Sequence, residues 1–88
     1  MKINDVIFID SLPTLDLHGF DRDSARVAIN DFVLDNKKMG NEVIAIIHGI
    51  GKGIIRQECI NTLNHNKDVI EFKGAFSNRG CMLVQIKI

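Results

Sequence analysis

The sequence predicts a small α/β domain, a two-layer sandwich in which two helices cover a mixed four-stranded sheet in the order β-α-β-α-β-β. Three observations predict this class. Two segments repeat apolar residues at helical spacing, four short segments have the apolar patterns of strands, and each predicted helix connects two of those strands by a crossover. A chain of 88 residues has room for one core of this kind and for no second domain.

Composition narrows the class of protein further. Hydrophobic residues make up 45% of the chain and charged residues 25%, which is typical of globular domains that fold without metals or disulfides. The longest apolar run, residues 43–47, is far shorter than the ~20 residues of a membrane-spanning helix, and the first residues lack the apolar stretch of a secretory signal. We therefore expect a cytoplasmic protein that does not bind membranes.

The charge balance argues against a protein that binds nucleic acid through a high net positive charge, and the cysteine spacing argues against a zinc or redox protein. Eleven Lys and Arg residues balance eleven Asp and Glu residues, so no global positive field attracts nucleic acid, and any such binding must come from a local patch. Cys59 and Cys81 lie far apart in the sequence, without the close spacing of a zinc or redox motif. We expect both to be reduced and buried.

The N-terminal residues 1–13 are predicted to form an arm that packs on the domain proper, residues 14–88. An apolar stretch, residues 6–9, is followed by a polar segment and by Pro13. Because the proline ring fixes φ and removes a backbone donor, it blocks further strand pairing at this point.

Residues 22–39 are predicted to form the first helix. Asp21 precedes them as an N-cap, two lysines in the last turn complement the helix dipole, and Gly40 supplies the left-handed residue that ends many helices. The residues that recur at steps of three and four, and so define the buried face, are Ala25, Ala28, Ile29, Phe32, Val33 and Asn36.

The remaining elements also follow from apolar patterns. Residues 42–47 form a nearly continuous apolar run, as in a strand buried at the centre of a sheet, and residues 54–66 repeat at helical spacing. Residues 69–76 and 81–88 are strand-like and are joined by a four-residue turn signal, which predicts a hairpin. Gly74 inside the first of these strands indicates a bulge or a close backbone approach.

The first strand, predicted over residues 14–18, carries the first candidate for chemistry. Asp16 and His18 are two residues apart and would project from the same face, so the carboxylate can orient the imidazole and stabilise its protonated form. In the alternative, Asp16 caps the turn at Gly19 and His18 is a structural histidine with satisfied hydrogen bonds. The spacing leaves both interpretations open.

The second candidate is the segment His48-Gly49-Ile50-Gly51-Lys52-Gly53, which joins a strand to a helix. Glycine loops of this kind let backbone N–H groups face an anion, the helix N-terminus adds partial positive charge, and Lys52 adds a full charge, so phosphate is the expected guest. The spacing differs from the Walker and dinucleotide-binding motifs, which argues against a nucleoside triphosphate or a nicotinamide. The alternative is a glycine-rich turn without a ligand.

Both candidates lie at one edge of the sheet if their strands are neighbours, and ligands bind α/β sheets at such edges. Two imidazoles and a lysine around a phosphate can deprotonate a nucleophile, stabilise a pentavalent phosphorus and protonate a leaving oxygen, which predicts phosphodiester cleavage. The predicted catalytic residues are Asp16, His18 and His48. The predicted phosphate-binding residues are Gly49, Gly51, Lys52, Gly53, Arg56 and Arg79.

Two further hypotheses concern this edge of the sheet, a metal site and an aromatic residue that stacks on a base. Asp16, His18 and His48 could instead hold a divalent metal such as Mg or Mn that activates water, although the chemistry does not require a cofactor. Phe20, beside the first motif, is the candidate for an aromatic residue that stacks on a base.

The order of these motifs resembles the Smr (small MutS-related) domain family. The segments Leu15-Asp16-Leu17-His18-Gly19 and His48-Gly49-Ile50-Gly51-Lys52-Gly53 stand in the family's order, separated by a helix and a strand of similar length, and the resemblance runs from residue 14 to residue 88. It implies a single-domain member with a fold like the C-terminal domain of bacterial translation initiation factor 3. Many members have a Gly-rich turn and a Thr before the final strand, where this chain has Ser77-Asn78-Arg79-Gly80-Cys81-Met82.

The resemblance also implies nucleic-acid processing. Smr domains are implicated in endonucleolytic cleavage of DNA or RNA, and some act on messenger RNA at stalled ribosomes, which makes Asp16 and His18 the leading catalytic candidates. We expect an endonuclease that cleaves RNA, or nicks DNA, and that a ribosome or partner protein recruits. The alternatives are a non-catalytic module that binds nucleic acid or ribosomes, and an enzyme acting on a small phosphorylated metabolite.

Overall fold

The structure is a computed structural model that describes residues 2–5, 11–51, 53–75 and 78–88. It confirms the predicted α/β architecture of two helices and a four-stranded mixed sheet. In chain order the elements are a 3-10 turn Ile3–Asp5, β1 Thr14–Asp16, α1 Arg22–Met39, β2 Val43–Ile47, α2 Ile54–His65, β3 Val69–Ala75 and β4 Asn78–Ile86. Among the described residues, no helix is long and apolar enough to cross a membrane.

The strands lie in the order β1-β2-β4-β3. β1 runs parallel to β2, whereas β4 runs antiparallel to both of its neighbours. β2 therefore has a partner on each side, and this central position explains its continuous apolar run. The parallel pairing of β1 with β2 brings the carboxyl ends of both strands to the same edge of the sheet.

α1 has the bounds and the caps that the sequence predicts. The Asp21 side chain accepts a hydrogen bond from the backbone N–H of Ser24 at 2.8 Å, and Gly40 takes a left-handed φ of 78° at the C-cap. Asn36 is buried although it is polar. Its amide nitrogen donates to a backbone carbonyl one turn earlier at 2.9 Å, and its amide oxygen accepts from the Asn41 side chain, so burial leaves neither group unsatisfied.

The main core lies between the helices and one face of the sheet. The alternation of β4 decides which residues enter it, because Met82, Val84 and Ile86 face the helices while Cys81 and Leu83 face away. Each fully buried aliphatic side chain contributes roughly 1.5–3 kcal/mol to folding. The other fully buried members of this core are Leu17, Ala25, Ile29, Val33, Ile44, Ile46, Cys59 and Leu63.

The opposite face of the sheet carries a smaller apolar cluster under the N-terminal residues. Ile3 is only 2% exposed and packs with sheet residues that include Ala45 and Leu83. The chain before β1 thus contacts the sheet through Ile3. The predicted apolar stretch 6–9 lies outside the described residues, and the division into an arm and a domain at residue 14 stays a prediction.

Strand boundaries differ from the predicted ones by one to three residues, and the end of β1 and the start of β4 differ for a physical reason. β1 ends at Asp16, two residues early, because the Asp16 carboxylate accepts the backbone N–H of His18 at 2.9 Å and the chain turns. β4 begins at Asn78, three residues before its predicted start, because Asn78 pairs with Ala75 across the hairpin. The hairpin itself is confirmed, and a shift of register between Gly74 and Ala75 confirms the predicted bulge.

Both cysteines are buried free thiols, as predicted. Burial raises the pKa of Cys59 to about 12 and also raises the pKa of Cys81. The Cys59 sulfur lies 3.9 Å from the Met82 sulfur inside the main core. Thiols with raised pKa values stay protonated at neutral pH, so these cysteines contribute packing and no nucleophile.

Candidate functional site

Three segments meet at one edge of the sheet, where β1 and β2 end and β4 begins. The register pairs Asp16 with Ile47 on one side of β2 and Cys81 with Ile47 on the other. The backbone N–H of Leu17 continues this contact beyond the end of β1, donating to the carbonyl of Ile47 at 2.8 Å. Because neighbouring strands lie about 4.8 Å apart, the two predicted motifs share this edge.

The turn after β1 presents His18 to solvent. The N–H of Phe20 donates to the carbonyl of Leu17 at 3.0 Å, and Gly19 has a φ of 81°, as the third residue of such a turn requires. The Asp16 carboxylate accepts the backbone N–H of His18 at 2.9 Å, so Asp16 caps the turn as the alternative interpretation expects. Among the described residues no hydrogen bond joins this carboxylate to the His18 imidazole, and the carboxylate–imidazole pair stays a prediction. His18 is nevertheless exposed, so it is not the satisfied structural histidine of the alternative.

His48 lies at the end of β2 and is only 8% exposed. Its Nδ1 lies 2.8 Å from the carbonyl oxygen of Gly49. A carbonyl oxygen can only accept, so Nδ1 carries a proton and, in the neutral ring, Nε2 is the acceptor. The backbone N–H groups of His48 and Gly49 both donate to the carbonyl of Gly80, at 2.8 Å and 3.1 Å. Hydrogen bonds from both its side chain and its backbone thus hold His48 in place at the start of the loop.

Gly80 lets the glycine loop approach β4 closely, and the sequence interpretation missed this role. A Cβ atom at Gly80 would lie 3.2 Å from two backbone atoms of Gly49. Contacts this short force the neighbouring backbone to move, so a side chain here displaces the loop. The signal was available, because an isolated glycine in a strand indicates close approach of another backbone. It was obscured because Gly80 was assigned to the turn.

The loop then leads to the N-terminus of α2. Gly53 is the N-cap, with a φ of 84°, and within the described part of the chain no side chain caps this end of the helix. Gly49 has the same φ of 84°, and Gly51 and the first-turn residue Arg56 are exposed. Lys52, the predicted cation of this loop, lies outside the described residues. The arrangement leaves backbone donors and a positive helix end facing solvent.

An exposed arginine lies on the β4 side of the glycine loop, and a groove lies on its helix side. Arg79 is exposed at the start of β4, and since Ile47 pairs with Cys81 in antiparallel register, Arg79 is level with Gly49. On the helix side, a groove of about 290 Å³ lies between the beginnings of α1 and α2. Its lining residues are Arg22, Gly53, Ile54, Gln57, Glu58 and Asn61.

The metal alternative is not supported by this geometry. Among the described residues, no group of three or more His, Cys, Asp and Glu side chains could hold a metal ion. The three residues of that hypothesis are all described. The Asp16 carboxylate bonds to a backbone amide and the Nδ1 of His48 to a backbone carbonyl, so both groups already have protein partners.

Relatives of known name share most of this chain. It is 38% identical over 68 residues to the endonuclease MutS2 of Ligilactobacillus salivarius, a match that covers 77% of this chain and 9% of that protein. It is 31% identical over 77 residues to the ribosome rescue factor SmrB of Aliivibrio fischeri, covering 84% of this chain and 44% of SmrB. The chain therefore spans less than half the length of these relatives.

A solved structure has the same fold. The Smr domain of Thermus thermophilus MutS2 superimposes with a TM-score of 0.84 at 22% identity, and the match covers 88% of this chain and all of that domain. The family model of the Smr domain matches residues 15–87, a range that contains both motifs, both helices and the complete hairpin. With the fold, the motif order and the relatives in agreement, the chain belongs to the Smr domain family.

Proposed function

We propose that this chain is an endonuclease that cleaves phosphodiester bonds, in RNA in preference to DNA, at the edge where β1 and β2 end. One observation carries the proposal. The exposed imidazole of His18 stands on a fixed turn at the same sheet edge as the N-terminus of α2, which begins after Gly53 and which no side chain of the described residues caps. A proton acceptor beside an anion-binding helix end is a suitable arrangement for attack on a phosphate.

His18 is the proposed general base in this reaction. It takes the proton of an RNA 2′-hydroxyl, the resulting oxygen attacks the adjacent phosphorus, and the 5′-oxygen leaves with a proton from solvent. The products are a cyclic phosphate and a 5′-hydroxyl. DNA lacks the 2′-hydroxyl, and this internal nucleophile is the reason that we favour RNA. The step needs no metal ion.

Asp16 and His48 act through the backbone in this proposal. The Asp16 carboxylate holds the amide of His18 at 2.9 Å and so fixes the turn that carries the imidazole. The Nδ1 of His48 contacts the Gly49 carbonyl at 2.8 Å and fixes the first residue of the glycine loop. Both are positioning residues, since misplacing a catalytic group by about 1 Å can cost 10²-fold in rate.

The phosphate is held by the N-terminus of α2 and by the cations around it. Arg56 lies in the first turn of α2, Arg79 lies at the start of β4, and Lys52 belongs to the glycine loop that precedes α2 in sequence. A net charge of zero predicts weak non-specific affinity, so binding depends on this local arrangement. The glycines of the loop contribute backbone N–H groups toward the phosphate.

The relatives support the class of substrate. One is named an endonuclease and another a ribosome rescue factor, and both names are consistent with action on nucleic acid. Because the chain spans 9% and 44% of these two proteins, a ribosomal or protein partner for this chain is part of the proposal.

The test is cleavage of end-labelled RNA in the presence of EDTA by wild type and His18→Ala. We expect His18→Ala to cleave about 10² to 10⁴ times more slowly, as is typical for loss of a general base. His65→Ala is the matched control, since His65 is also exposed but lies at the opposite end of α2. Equal cleavage by wild type and His18→Ala would rule out this role for His18.

A second candidate is a binding module without catalysis. It is favoured by the hydrogen bond from the Asp16 carboxylate to a backbone amide, because no described carboxylate bonds to the His18 ring. In that case wild type gives no cleavage product, Lys52→Ala weakens binding of labelled RNA, and His18→Ala leaves binding unchanged. The same set of variants therefore separates the two functions.

A further inference from the structure

One aromatic side chain is exposed at the same edge as the candidate site. The chain has five phenylalanines. Of the three that the structure describes, Phe32 and Phe72 pack against the main core, whereas Phe20 belongs to neither core cluster and is 38% exposed. A partly exposed aromatic ring keeps accessible surface on which another planar group can stack.

The backbone holds Phe20 in a fixed place relative to His18. The Phe20 N–H closes the turn by donating to the Leu17 carbonyl at 3.0 Å, and the next residue, Asp21, is the N-cap of α1. Phe20 and His18 are two residues apart, so their Cα atoms are separated by at most about 7 Å. A ring on so short and so constrained a segment loses little conformational entropy when it binds a ligand.

The surroundings of Phe20 suit a nucleotide. Two residues further along the chain, Arg22 lines the groove that also contains Gly53 and Ile54 at the start of α2. Phe20 thus lies in the sequence between the exposed His18 and Arg22, which lines the groove beside the start of α2. Bases stack on aromatic rings while cations and backbone donors hold the adjacent phosphates.

We propose that Phe20 stacks on a base of single-stranded nucleic acid, next to the phosphate held at His18, and that it thereby restricts the substrate to unpaired segments. The proposal rests on the proposed function, since it places the base relative to that site. A duplex keeps its bases stacked on each other and offers no free face to the ring. Recognition by one ring requires an unpaired base of any sequence.

The absence of Trp and Tyr from the chain permits a direct test. Phe20→Trp introduces a single tryptophan, whose fluorescence is quenched when a base stacks on it. The ligand is a 2′-O-methyl RNA oligonucleotide, which cannot be cleaved through a 2′-hydroxyl. The matched control is Val27→Trp, since Val27 is 56% exposed on α1, at a position outside the proposed site. Binding is measured independently by the anisotropy of a labelled oligonucleotide.

We expect the oligonucleotide to quench Phe20→Trp and to leave Val27→Trp unchanged, and an abasic oligonucleotide of equal length to quench neither. Phe20→Leu should bind the RNA about 5- to 20-fold more weakly than wild type does. The abasic strand should bind to Phe20→Leu and to wild type with equal affinity. Thermal melting checks that each variant is folded.

The outcomes separate this proposal from the one it rests on. Oligonucleotide that binds by anisotropy without changing the fluorescence of Phe20→Trp overturns the stacking role and leaves the proposed function in place. Equal quenching by duplex and single-stranded RNA overturns the restriction to unpaired segments. Wild type that binds no oligonucleotide overturns both proposals.

Discussion

The two helices begin at the same edge of the sheet, but their N-termini differ. α1 starts with Asp21, whose carboxylate accepts the Ser24 N–H at 2.8 Å, and Asp23 adds a second acid in the first turn. α2 starts with Gly53, without an acid in its first turn and, in the part of the chain that the structure describes, without a capping side chain. A helix N-terminus attracts negative charge. The acidic side chains at the start of α1 supply that charge, whereas the start of α2 has no acidic side chain to do so.

This difference shows how a chain with zero net charge can present one anion-binding position. The Ser24 hydrogen bond lowers the pKa of Asp21, as expected for a carboxylate that accepts a backbone N–H at a helix start. The equivalent place on α2 is open to an external anion such as a phosphate. The composition of the chain conceals this contrast because the charges cancel in the sum.

Among the variants that test this difference between the helix ends, displacing the loop before α2 should have the largest effect. Gly80→Val places a side chain against the backbone of Gly49, where even a Cβ atom would be at 3.2 Å. We expect RNA cleavage to fall about 100-fold and the free energy of unfolding to fall by about 1–3 kcal/mol. The measurements are the cleavage rate and denaturant unfolding.

Gly74→Val is the control for that prediction, because a Cβ atom at Gly74 would have no neighbour within 4 Å. It should keep wild-type cleavage. If Gly80→Val also cleaves at the wild-type rate, the contact with β4 does not hold the loop in its active position.

Closing the open N-terminus should have the next largest effect. Gly53→Asp would give α2 a negative charge like that of α1, and we expect about fivefold weaker binding of single-stranded RNA from the loss of roughly 1 kcal/mol. Gly53→Asn is the matched control because Asn has the same shape and tolerates the φ of 84° equally well. Equal affinities of the two variants would show that charge at this helix end is irrelevant to binding.

Removing a cation from each helix start compares the two ends directly. Arg56→Ala in α2 should weaken RNA binding a few-fold and reduce the slope of log K against log salt by about 1. Arg26→Ala in α1 should change neither, since Arg26 is paired with Asp23 at 3.3 Å on an exposed surface. Titrations at several salt concentrations measure both quantities. A larger salt effect for Arg26→Ala would place the RNA on α1 instead.

Removing the cap of α1 should affect stability alone. Asp21→Ala should lower Tm by about 4 °C and leave RNA affinity unchanged. Because the folded-state pKa of Asp21 is below its ordinary value of 3.8, the stability from its charge is present above that pH and is lost as the pH falls through the lower value. Asp21→Asn keeps a capping oxygen and should lose only this pH dependence. Melting curves from pH 2 to pH 7 measure the Tm of both variants and its pH dependence. A loss of RNA affinity in Asp21→Ala would contradict the prediction that Asp21 affects stability alone.

Local signals in the sequence were sufficient for most elements. α1 was predicted to the residue, because Asp21 and Gly40 are strong caps and the apolar face repeats over 18 residues. β1 and β4 were misplaced by two and three residues because each boundary depends on a contact that spacing does not show. The Asp16 side chain ends β1, and pairing of Asn78 with Ala75 lengthens β4.

The candidate site was predicted as a set of residues but not as a set of contacts. The two motifs were expected at one edge, and the pairing of Asp16 with Ile47 places them there. The partners of the polar atoms were not predictable, because a carboxylate can reach a ring or an amide from the same backbone position. Gly80 was missed because its neighbour in space, Gly49, is 31 positions away in the chain.

The sequence by itself determined the order of elements, the buried faces, the caps of α1 and the family, since each depends on residues close together in the chain or on motif order. Only the tertiary structure decided that Asp16 and His48 bond to backbone atoms, that His18 stays exposed, and that β4 supports the loop before α2. The contact of the loop with β4 joins residues far apart in the chain and is set by strand register. The bonds of Asp16 and His48 are local, but they were decided by competition among hydrogen-bond partners, which spacing does not encode.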